Sequence, residues 1–211
     1  MPISPISPIK PSDPLKKLTT DEMHRLTVEE FRVREKLPLT VVLDNVRSQN
    51  NIGSVFRTAD AFRVEHIALC GICSTPPHRE IHKTALGAEE SVAWSYCEDT
   101  VQCVDELKKR GYHVYAVELA HDSLKLGEAS TAHAIMQAGN PAWKVALVLG
   151  NEIEGVQESV IARCDGCLEI PQQGTKHSLN VSCAAAIAMW ELFKQFSEVV
   201  TLNNQTVCAT N

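Results

Sequence analysis

Residues 144–150 read Lys-Val-Ala-Leu-Val-Leu-Gly, five consecutive apolar residues that end on a glycine and precede a polar segment. An apolar run without polar alternation is typical of a strand covered on both faces, as strands of parallel sheets are. Further runs of this kind alternate with helical patterns. The sequence therefore predicts an α/β fold, a parallel sheet with helices on both faces. The predicted strands are 39–45, 66–71, 91–96, 112–119, 144–150 and 167–171, and the predicted helices are 52–62, a short one around Thr84, 101–111, 159–164 and 178–196.

The two ends of the chain depart from this pattern. Prolines recur every third residue over 1–14, which fits either an extended polyproline II segment or an unstructured tail. A partial apolar stripe over 15–36, with Thr20 or Asp21 as the cap and Pro38 as the stop, predicts a helix. We therefore predict four segments: a disordered tail at 1–14, a helical extension at 15–37, the α/β domain at 38–197 and a flexible tail at 198–211.

Composition limits the classes of function. The 211 residues include 20 Lys and Arg against 26 Asp and Glu, so the formal net charge is −6. Binding of nucleic acid then requires a local basic face, since the overall field repels it. No apolar run approaches the roughly 20 residues that span a bilayer. The first residues lack the basic and apolar regions of a secretory signal, so a cytoplasmic protein without membrane contact is expected.

Eight cysteines raise the question of a metal site. Cys70 and Cys73, and likewise Cys164 and Cys167, have the spacing of zinc knuckles. However, Cys70 ends one apolar run and Cys167 begins another, as strand residues do. We therefore predict reduced thiols and no bound metal.

Three polar loops adjoin the predicted strands, where open parallel sheets bind their ligands. In the first, Asn51 can cap a helix, Gly53 allows close backbone approach, and the apolar neighbours of Arg57 favour a partly buried guanidinium directed at an anion. In the second, Gly150 frees the following amides for a ligand. Glu152 and Glu154 act there as a general base or as acceptors from a ribose hydroxyl, or they belong to a charged turn.

The third loop leads into the last predicted helix. Gly174, Lys176 and His177 precede Ser178 and Asn180, and either of these last two is an ordinary helix cap. Three alanines at 184–186 predict that the helix start packs closely against other backbone.

These loops carry three motifs that resemble those of the SpoU/TrmH family, the RNA 2'-O-ribose methyltransferases of the SPOUT class. The first motif, N-x-G-x-x-x-R, occurs at 51–57. The second, L-x-L-G-N-E-x-x-G, occurs at 147–155, and the third, I-P-x-x-G-x-x-x-S-L-N-V-S-x-A-x-A, at 170–186. The resemblance covers about 39–196, in the order of the family. Arg63 stands where many members have glycine, and Gln172 replaces a common methionine.

The resemblance implies a SPOUT methyltransferase domain with a C-terminal trefoil knot, which general topology rules would exclude. It also implies S-adenosyl-L-methionine as cofactor and a ribose 2'-hydroxyl in RNA as methyl acceptor, with tRNA favoured over rRNA. Arg57 is the family's candidate base, or else a clamp on the adjacent phosphate that stabilises the alkoxide. The residues implied to orient Arg57 and the nucleotide are Asn51, Glu152, Ser178 and Asn180. The implied cofactor contacts are Glu118, Leu119, Gly150, Asn151, Ile170 and Leu179, and the candidate RNA-binding cations are Arg47, Arg63, Arg79, His82, Lys83, Lys176 and His177.

The resemblance further implies a homodimer whose active site draws on both chains. Independently, the last predicted helix carries apolar residues around much of its circumference, more than one buried stripe requires. The alternative is that the predicted helix at 15–36 covers that face within one chain. The apolar residues in question are Met189, Trp190, Leu192, Phe193 and Phe196.

Three other functions compete with this prediction. A nicotinamide-dependent dehydrogenase would share the βα alternation, but the G-x-G-x-x-G that it requires after the first strand is missing. A non-catalytic RNA-binding protein would keep a basic face without needing Arg57, Glu152 and Asn180 together. A knotted methyltransferase that modifies a nucleobase remains open.

Overall fold

The computed structural model describes residues 16–19, 21–128, 131, 135 and 144–208. The proline-rich segment at 1–14 lies outside the described residues. Within them, no helix is long and apolar enough to cross a membrane.

The described strands form one sheet of seven members in which all pairs are parallel. Their order across the sheet is β3-β2-β1-β6-β4-β7-β5, so the predicted α/β class is confirmed. The trefoil knot stays a prediction. The strands are β1 (Leu37–Asp44), β2 (Val64–Cys70), β3 (Ala93–Cys97), β4 (His113–Val117), β5 (Leu124–Lys125), β6 (Val145–Leu149) and β7 (Gly166–Glu169). The helices are α1 (Val28–Val33), α2 (Gln49–Ala61), α3 (Arg79–Ala85), α4 (Ala88–Ser91), α5 (Thr100–Lys109), α6 (Glu158–Ile161) and α7 (Val181–Cys208).

Strand β6 lies near the middle of the sheet and is buried along its whole length. It pairs with β1 on one edge and with β4 on the other. Successive side chains of a strand point to opposite faces. Accordingly, Val145, Leu147 and Leu149 join one hydrophobic cluster, while Ala146 and Val148 join a second. This is the strand predicted from the apolar run at 144–150.

The predicted helix over 15–36 is wrong. The described part contains a short 3-10 turn at Asp21–Met23 and the helix α1. Thr27, and neither Thr20 nor Asp21, caps α1 through a reciprocal capping box with Glu30. This box fixes the start of the helix late in the segment. The chain then extends, and Pro38 lies inside β1 instead of ending a helix.

The C-terminal prediction also needs correction. Helix α7 begins at Val181 and not at 178, because the side chain of Asn180 accepts a hydrogen bond from the Ser182 amide at 2.9 Å. It continues to Cys208, beyond the predicted end at 196, and the flexibility of the tail at 198–211 stays a prediction. Neither glycine nor proline occurs in this stretch to end the helix.

One further strand boundary differs from prediction, and one short strand was not predicted. Strand β3 begins at Ala93 rather than 91, because 88–91 form the helical turn α4. The short strand β5 was not predicted, since two residues carry no detectable periodicity. The short helix expected around Thr84 is confirmed as α3.

Asp44, which sequence analysis did not single out, joins three segments at the end of β1. Its side chain is fully buried. One carboxylate oxygen accepts hydrogen bonds from the Thr100 hydroxyl at 2.7 Å and the Asn45 amide at 2.9 Å, and the other accepts from the Gln157 backbone N–H at 3.0 Å. Asp44 thereby ties β1 to the starts of α5 and α6.

We expect Asp44→Asn to lower the free energy of unfolding by about 1–3 kcal/mol, because the amide nitrogen would face one of these donors in a buried place. Urea denaturation measures the change. Asp122→Asn is the matched control: Asp122 is exposed in a turn at φ 59°, where Asn is well accommodated, and the change should stay within about 0.5 kcal/mol. Equal stability of the two variants would contradict this role of Asp44.

Candidate active site

Side-chain hydrogen bonds connect the three loops that carry the sequence motifs. The side-chain amide of Asn51 donates to Glu152 Oε1 at 2.5 Å, across 101 residues of sequence. The amide of Asn180 in turn donates to Asn51 Oδ1 at 3.2 Å, across 129 residues. Three of the candidate catalytic residues therefore form one chain of contacts.

This arrangement depends on which residue caps α2. Asn51 was predicted as the cap, but Ser48 occupies that position and accepts a hydrogen bond from the Asn51 backbone N–H at 3.3 Å. The Asn51 side chain is thereby available for Glu152 and Asn180. Gly53, two residues further along α2, has the predicted close neighbour, because a Cβ there would lie 2.3 Å from the Ile81 carbonyl oxygen.

The second motif folds into a closed turn. Asn151 and Gly155 exchange backbone hydrogen bonds of 3.2 and 3.1 Å. Asn151 Oδ1 accepts the backbone N–H groups of Ile153 and Glu154 at 2.9 and 2.8 Å. These amides are satisfied inside the loop, so the prediction that Gly150 frees them for a ligand is wrong. A Cβ on Gly150 would lie 1.9 Å from the Gly155 carbonyl carbon, so the turn itself requires the glycine.

Glu118, at the end of β4, holds this turn from the other side. One carboxylate oxygen accepts from the Val156 backbone N–H and the other from the Leu119 N–H, both at 3.1 Å. Gly155 has φ 70°, and a Cβ there would lie 2.3 Å from Glu118 Oε2. Close approach of the carboxylate to the turn therefore needs glycine at 155.

A cavity of about 270 Å³ opens beside this turn, between the ends of β4, β6 and β7 and the loop at 171–180. Its deepest part is apolar, formed by Leu149, Leu168 and Val181. The ten residues of the loop at 171–180 are all exposed. The structure brings all six implied cofactor contacts to this cavity, together with two of the implied catalytic residues: Glu118, Leu119, Gly150, Asn151, Ile170 and Leu179, then Glu152 and Ser178.

Arg57 lies elsewhere. Its side chain is exposed, so the predicted partial burial is wrong. Arg57 lines a different cavity, of about 690 Å³, together with Asp60, Arg63 and the N-terminal residues 23–28. Arg57 is six residues beyond Asn51 on α2, roughly 9 Å along the axis and about 120° around it. The two side chains therefore leave the helix in different directions.

The seven candidate RNA-binding cations are all exposed but fall on different surfaces. Arg63 lines the Arg57 cavity, and His177 lines the cavity beside the second motif. Arg79 and His82 line a third cavity next to α3. Acidic side chains accompany several of them: Glu80 lies 3.9 Å from Arg79 and 3.7 Å from Lys83. Arg47 and Lys176 lie in the loops of the first and third motifs.

Seven cysteines are free thiols: Cys70, Cys73, Cys97, Cys103, Cys164, Cys167 and Cys183. Cys73 is buried, donates to the Leu43 carbonyl at 3.3 Å and accepts from the Val46 amide at 3.2 Å. Burial raises the pKa of Cys73 to about 11 and that of Cys164 to about 12, which keeps both thiols protonated at neutral pH. Among the residues that the structure describes, no three His, Cys, Asp or Glu side chains are placed to hold a metal ion. That the protein contains no zinc stays a prediction.

Residues 38–190 match the SpoU rRNA Methylase family. The chain belongs to this family. The motifs that meet at Asn51 are therefore those of a SpoU domain.

Individual relatives agree. A putative TrmH family tRNA/rRNA methyltransferase of Staphylococcus haemolyticus is 30% identical over 172 residues, which are 82% of this chain and 65% of that protein. The matched stretch thus spans just under two thirds of the relative. The structure of an A. aeolicus TrmH/SpoU tRNA modifying enzyme matches with a TM-score of 0.67 and 27% identity over 81% of each chain. A protein studied for 2-OH methylation of C/U34 on tRNA matches with a TM-score of 0.63 and 25% identity, over 76% of this chain and 97% of that chain.

We expect Gly150→Ala to lower the free energy of unfolding by about 1–3 kcal/mol, because the added methyl group overlaps the backbone of the turn. Gly174→Ala is the matched control, since a Cβ at Gly174 meets nothing within 4 Å, and its effect should stay within about 0.5 kcal/mol. Urea denaturation compares them. A neutral Gly150→Ala would show that the turn does not need glycine.

Proposed function

We propose that this protein is an S-adenosyl-L-methionine-dependent methyltransferase that methylates a ribose 2'-hydroxyl in structured RNA, with tRNA favoured over rRNA. The observation that carries the proposal is the chain of contacts from Glu152 through Asn51 to Asn180. It joins all three family motifs beside one cavity. The relative studied for 2-OH methylation of C/U34 on tRNA supports the ribose and the tRNA.

The cavity suits the proposed cofactor. Apolar side chains such as Leu149, Leu168 and Leu179 can pack against the adenine ring and the methionine chain, as in most small-molecule sites. A volume of about 270 Å³ favours a compact ligand conformation, in keeping with the bent form that the resemblance implies. When bound, the cofactor supplies an electrophilic methyl group on its sulfonium.

Arg57 positions the RNA in this proposal. A guanidinium remains protonated in proteins, so it is suited to binding the adjacent phosphate and stabilising the negative charge that develops on the ribose oxygen. Arg57 does not line the cofactor cavity of its own chain. A second copy of the protein would have to bring the two together, and this agrees with the implied homodimer.

Helix α7 offers a surface for that second copy. Ile187 and Trp190 are 42% and 48% exposed, and with the exposed Cys183 they form one stripe along the helix. The described N-terminal helix α1 packs against α4, so it does not support the alternative in which residues 15–36 cover α7. Phe193 is partly buried and stacks on Trp190, with ring centroids 5.9 Å apart.

The test of the proposed chemistry pairs two variants. Arg57→Ala should reduce the rate of methyl transfer to tRNA at least 100-fold and leave the Kd for S-adenosylmethionine within twofold, because Arg57 lies outside the cavity. Leu179→Asp should instead raise the Kd for S-adenosylmethionine at least tenfold, because it places a charge in the apolar lining of the cavity. Calorimetry measures the cofactor, and transfer of a tritiated methyl group measures the rate.

Mass spectrometry of nuclease-digested product then locates the methyl group. A 2'-O-methyl nucleoside supports the proposal. A methylated base would favour the nucleobase-modifying alternative instead. If the wild-type protein binds RNA but neither binds S-adenosylmethionine nor transfers a methyl group, the non-catalytic RNA-binding alternative is correct.

The dimer has its own test. Ile187→Asp should give monomers that bind S-adenosylmethionine normally but transfer methyl groups at least 50-fold more slowly, because a charge on the α7 stripe opposes association. Val33→Asp, at a position 86% exposed on α1, is the matched control and should remain dimeric. Light scattering measures the mass. A fully active wild-type monomer at micromolar concentration would refute the shared site.

A further inference from the structure

Three cysteine thiols meet on one face of the sheet, outside the candidate active site. Cys70 is the last residue of β2 and Cys97 is the last residue of β3, and the two are register partners on these parallel strands. Cys103 lies in the first turn of α5, which packs against both strands. All three side chains belong to the second hydrophobic cluster or pack against it. Nucleophilic groups from three elements are thereby brought together.

Hydrogen bonds connect the three thiols through Cys103. The bond to Cys103, followed by burial, raises the pKa of Cys70, so Cys70 keeps its proton and donates it. The same bond lowers the pKa of Cys103 below its ordinary value, with further contributions from Cys97 and from the guanidinium of Arg110, while burial opposes this shift. Cys103 is therefore favoured as a thiolate, which is the reactive form of cysteine.

Access to solvent divides the cluster further. Cys70 is fully buried, whereas Cys97 and Cys103 are both partly exposed. A small oxidant can therefore reach Cys103 directly. Cys97 lies at the strand end before an exposed turn, where its thiol donates to the Asp99 carbonyl oxygen at 3.2 Å. A surface turn of this kind adapts to a new bond more readily than a core residue does.

We propose that Cys97 and Cys103 form a site of reversible oxidation, at which a peroxide converts the two thiols into one disulfide. The Cys103 thiolate attacks one peroxide oxygen, the O–O bond breaks, and the departing hydroxide takes up a proton to become water. Cys103 is then a sulfenic acid. The Cys97 sulfur attacks the Cys103 sulfur, the S–S bond forms, and the hydroxyl group leaves with the thiol proton as a second water. The two thiols lose two electrons and two protons, and a thiol reductant reverses the step.

Other pairings within the cluster fit a disulfide less well. Cys70 and Cys97 extend from adjacent strands about 4.8 Å apart, whereas the Cβ atoms of a disulfide are about 3.8 Å apart. A bond between Cys70 and Cys103 would draw on a thiol that keeps its proton in the core. Oxidation of Cys97 and Cys103 requires neither RNA nor S-adenosylmethionine, so this site stands apart from the proposed function.

The test treats the reduced full-length protein with hydrogen peroxide, blocks the remaining thiols with iodoacetamide, and maps a tryptic digest by mass spectrometry. Cleavage after Lys and Arg places Cys97 and Cys103 in one peptide, 84–108, and Cys70 in another, 64–79. Peptide 84–108 should escape alkylation and be lighter by two hydrogens than its reduced form. Peptide 164–176, which holds Cys164 and Cys167, is the internal control and should remain alkylated. A reduced peptide 84–108, or a link between it and peptide 64–79, would overturn the proposal.

Two variants separate the roles of the paired thiols. Cys97→Ser should yield no disulfide in peptide 84–108 and should leave Cys103 as a sulfenic acid that dimedone traps. Cys164→Ser is the matched control, because Cys164 is also partly exposed beside the second hydrophobic cluster, and it should form the disulfide as wild type does. A disulfide at Cys103 that persists in Cys97→Ser would refute the assignment of Cys97.

The role of Cys70 is tested by the pH profile of alkylation. In wild type, Cys103 should react with iodoacetamide at pH 7 at least fivefold faster than Cys164, whose pKa burial raises to about 12. Cys70→Ala should move the midpoint of the Cys103 profile to higher pH, and Cys70→Ser, which retains a donor, should move it less. Should Cys70→Ala fail to fold, Cys70→Ser and the wild-type comparison still decide. Equal rates for Cys103 and Cys164, or an identical Cys103 profile in a folded Cys70→Ala, would contradict activation by Cys70.

Discussion

The burial of β6 on both faces and along both edges is the constraint on which the rest of the structure depends. Val145–Leu149 pairs with β1 and β4 and supplies alternate side chains to two hydrophobic clusters. Because the three strands are parallel, their carboxyl ends meet at one edge of the sheet. This arrangement makes neighbours of Asp44, Glu118 and Gly150, which lie at the carboxyl ends of the three strands. The candidate active site is built on them.

Acidic side chains shape this edge by accepting N–H groups from other segments. Asp44 accepts from Gln157, and Glu118 accepts from Val156, so two carboxylates hold two adjacent residues at the end of the connection from β6 to α6. Glu152 in turn accepts from Asn51 and thereby orients the first motif. Part of the acidic excess of this chain thus maintains the loops.

The chemistry of the proposed reaction is divided among separate surfaces of one chain. The cavity beside the second motif is largely apolar, whereas Arg57 lies on the other side of α2 with Asp60 and Arg63. The third cavity, next to α3, adjoins the Arg57 cavity through Glu90. A binding surface for an extended polymer can use such a division, because successive nucleotides reach different cavities while a small cofactor occupies one.

The sequence by itself determined the α/β class, the approximate strands and the three motifs, because long apolar runs and glycines at strand ends report burial and turns directly. It could not determine which of several equivalent polar residues caps a helix. In the structure Thr27 rather than Asp21, and Ser48 rather than Asn51, caps its helix, each through a hydrogen bond with the backbone N–H three residues further along the chain. Tertiary structure alone decided that Gly150 serves its own turn and that Arg57 leaves α2 away from the cavity beside the second motif. Each of these depends on atoms brought together from distant parts of the chain, and no local pattern records such contacts.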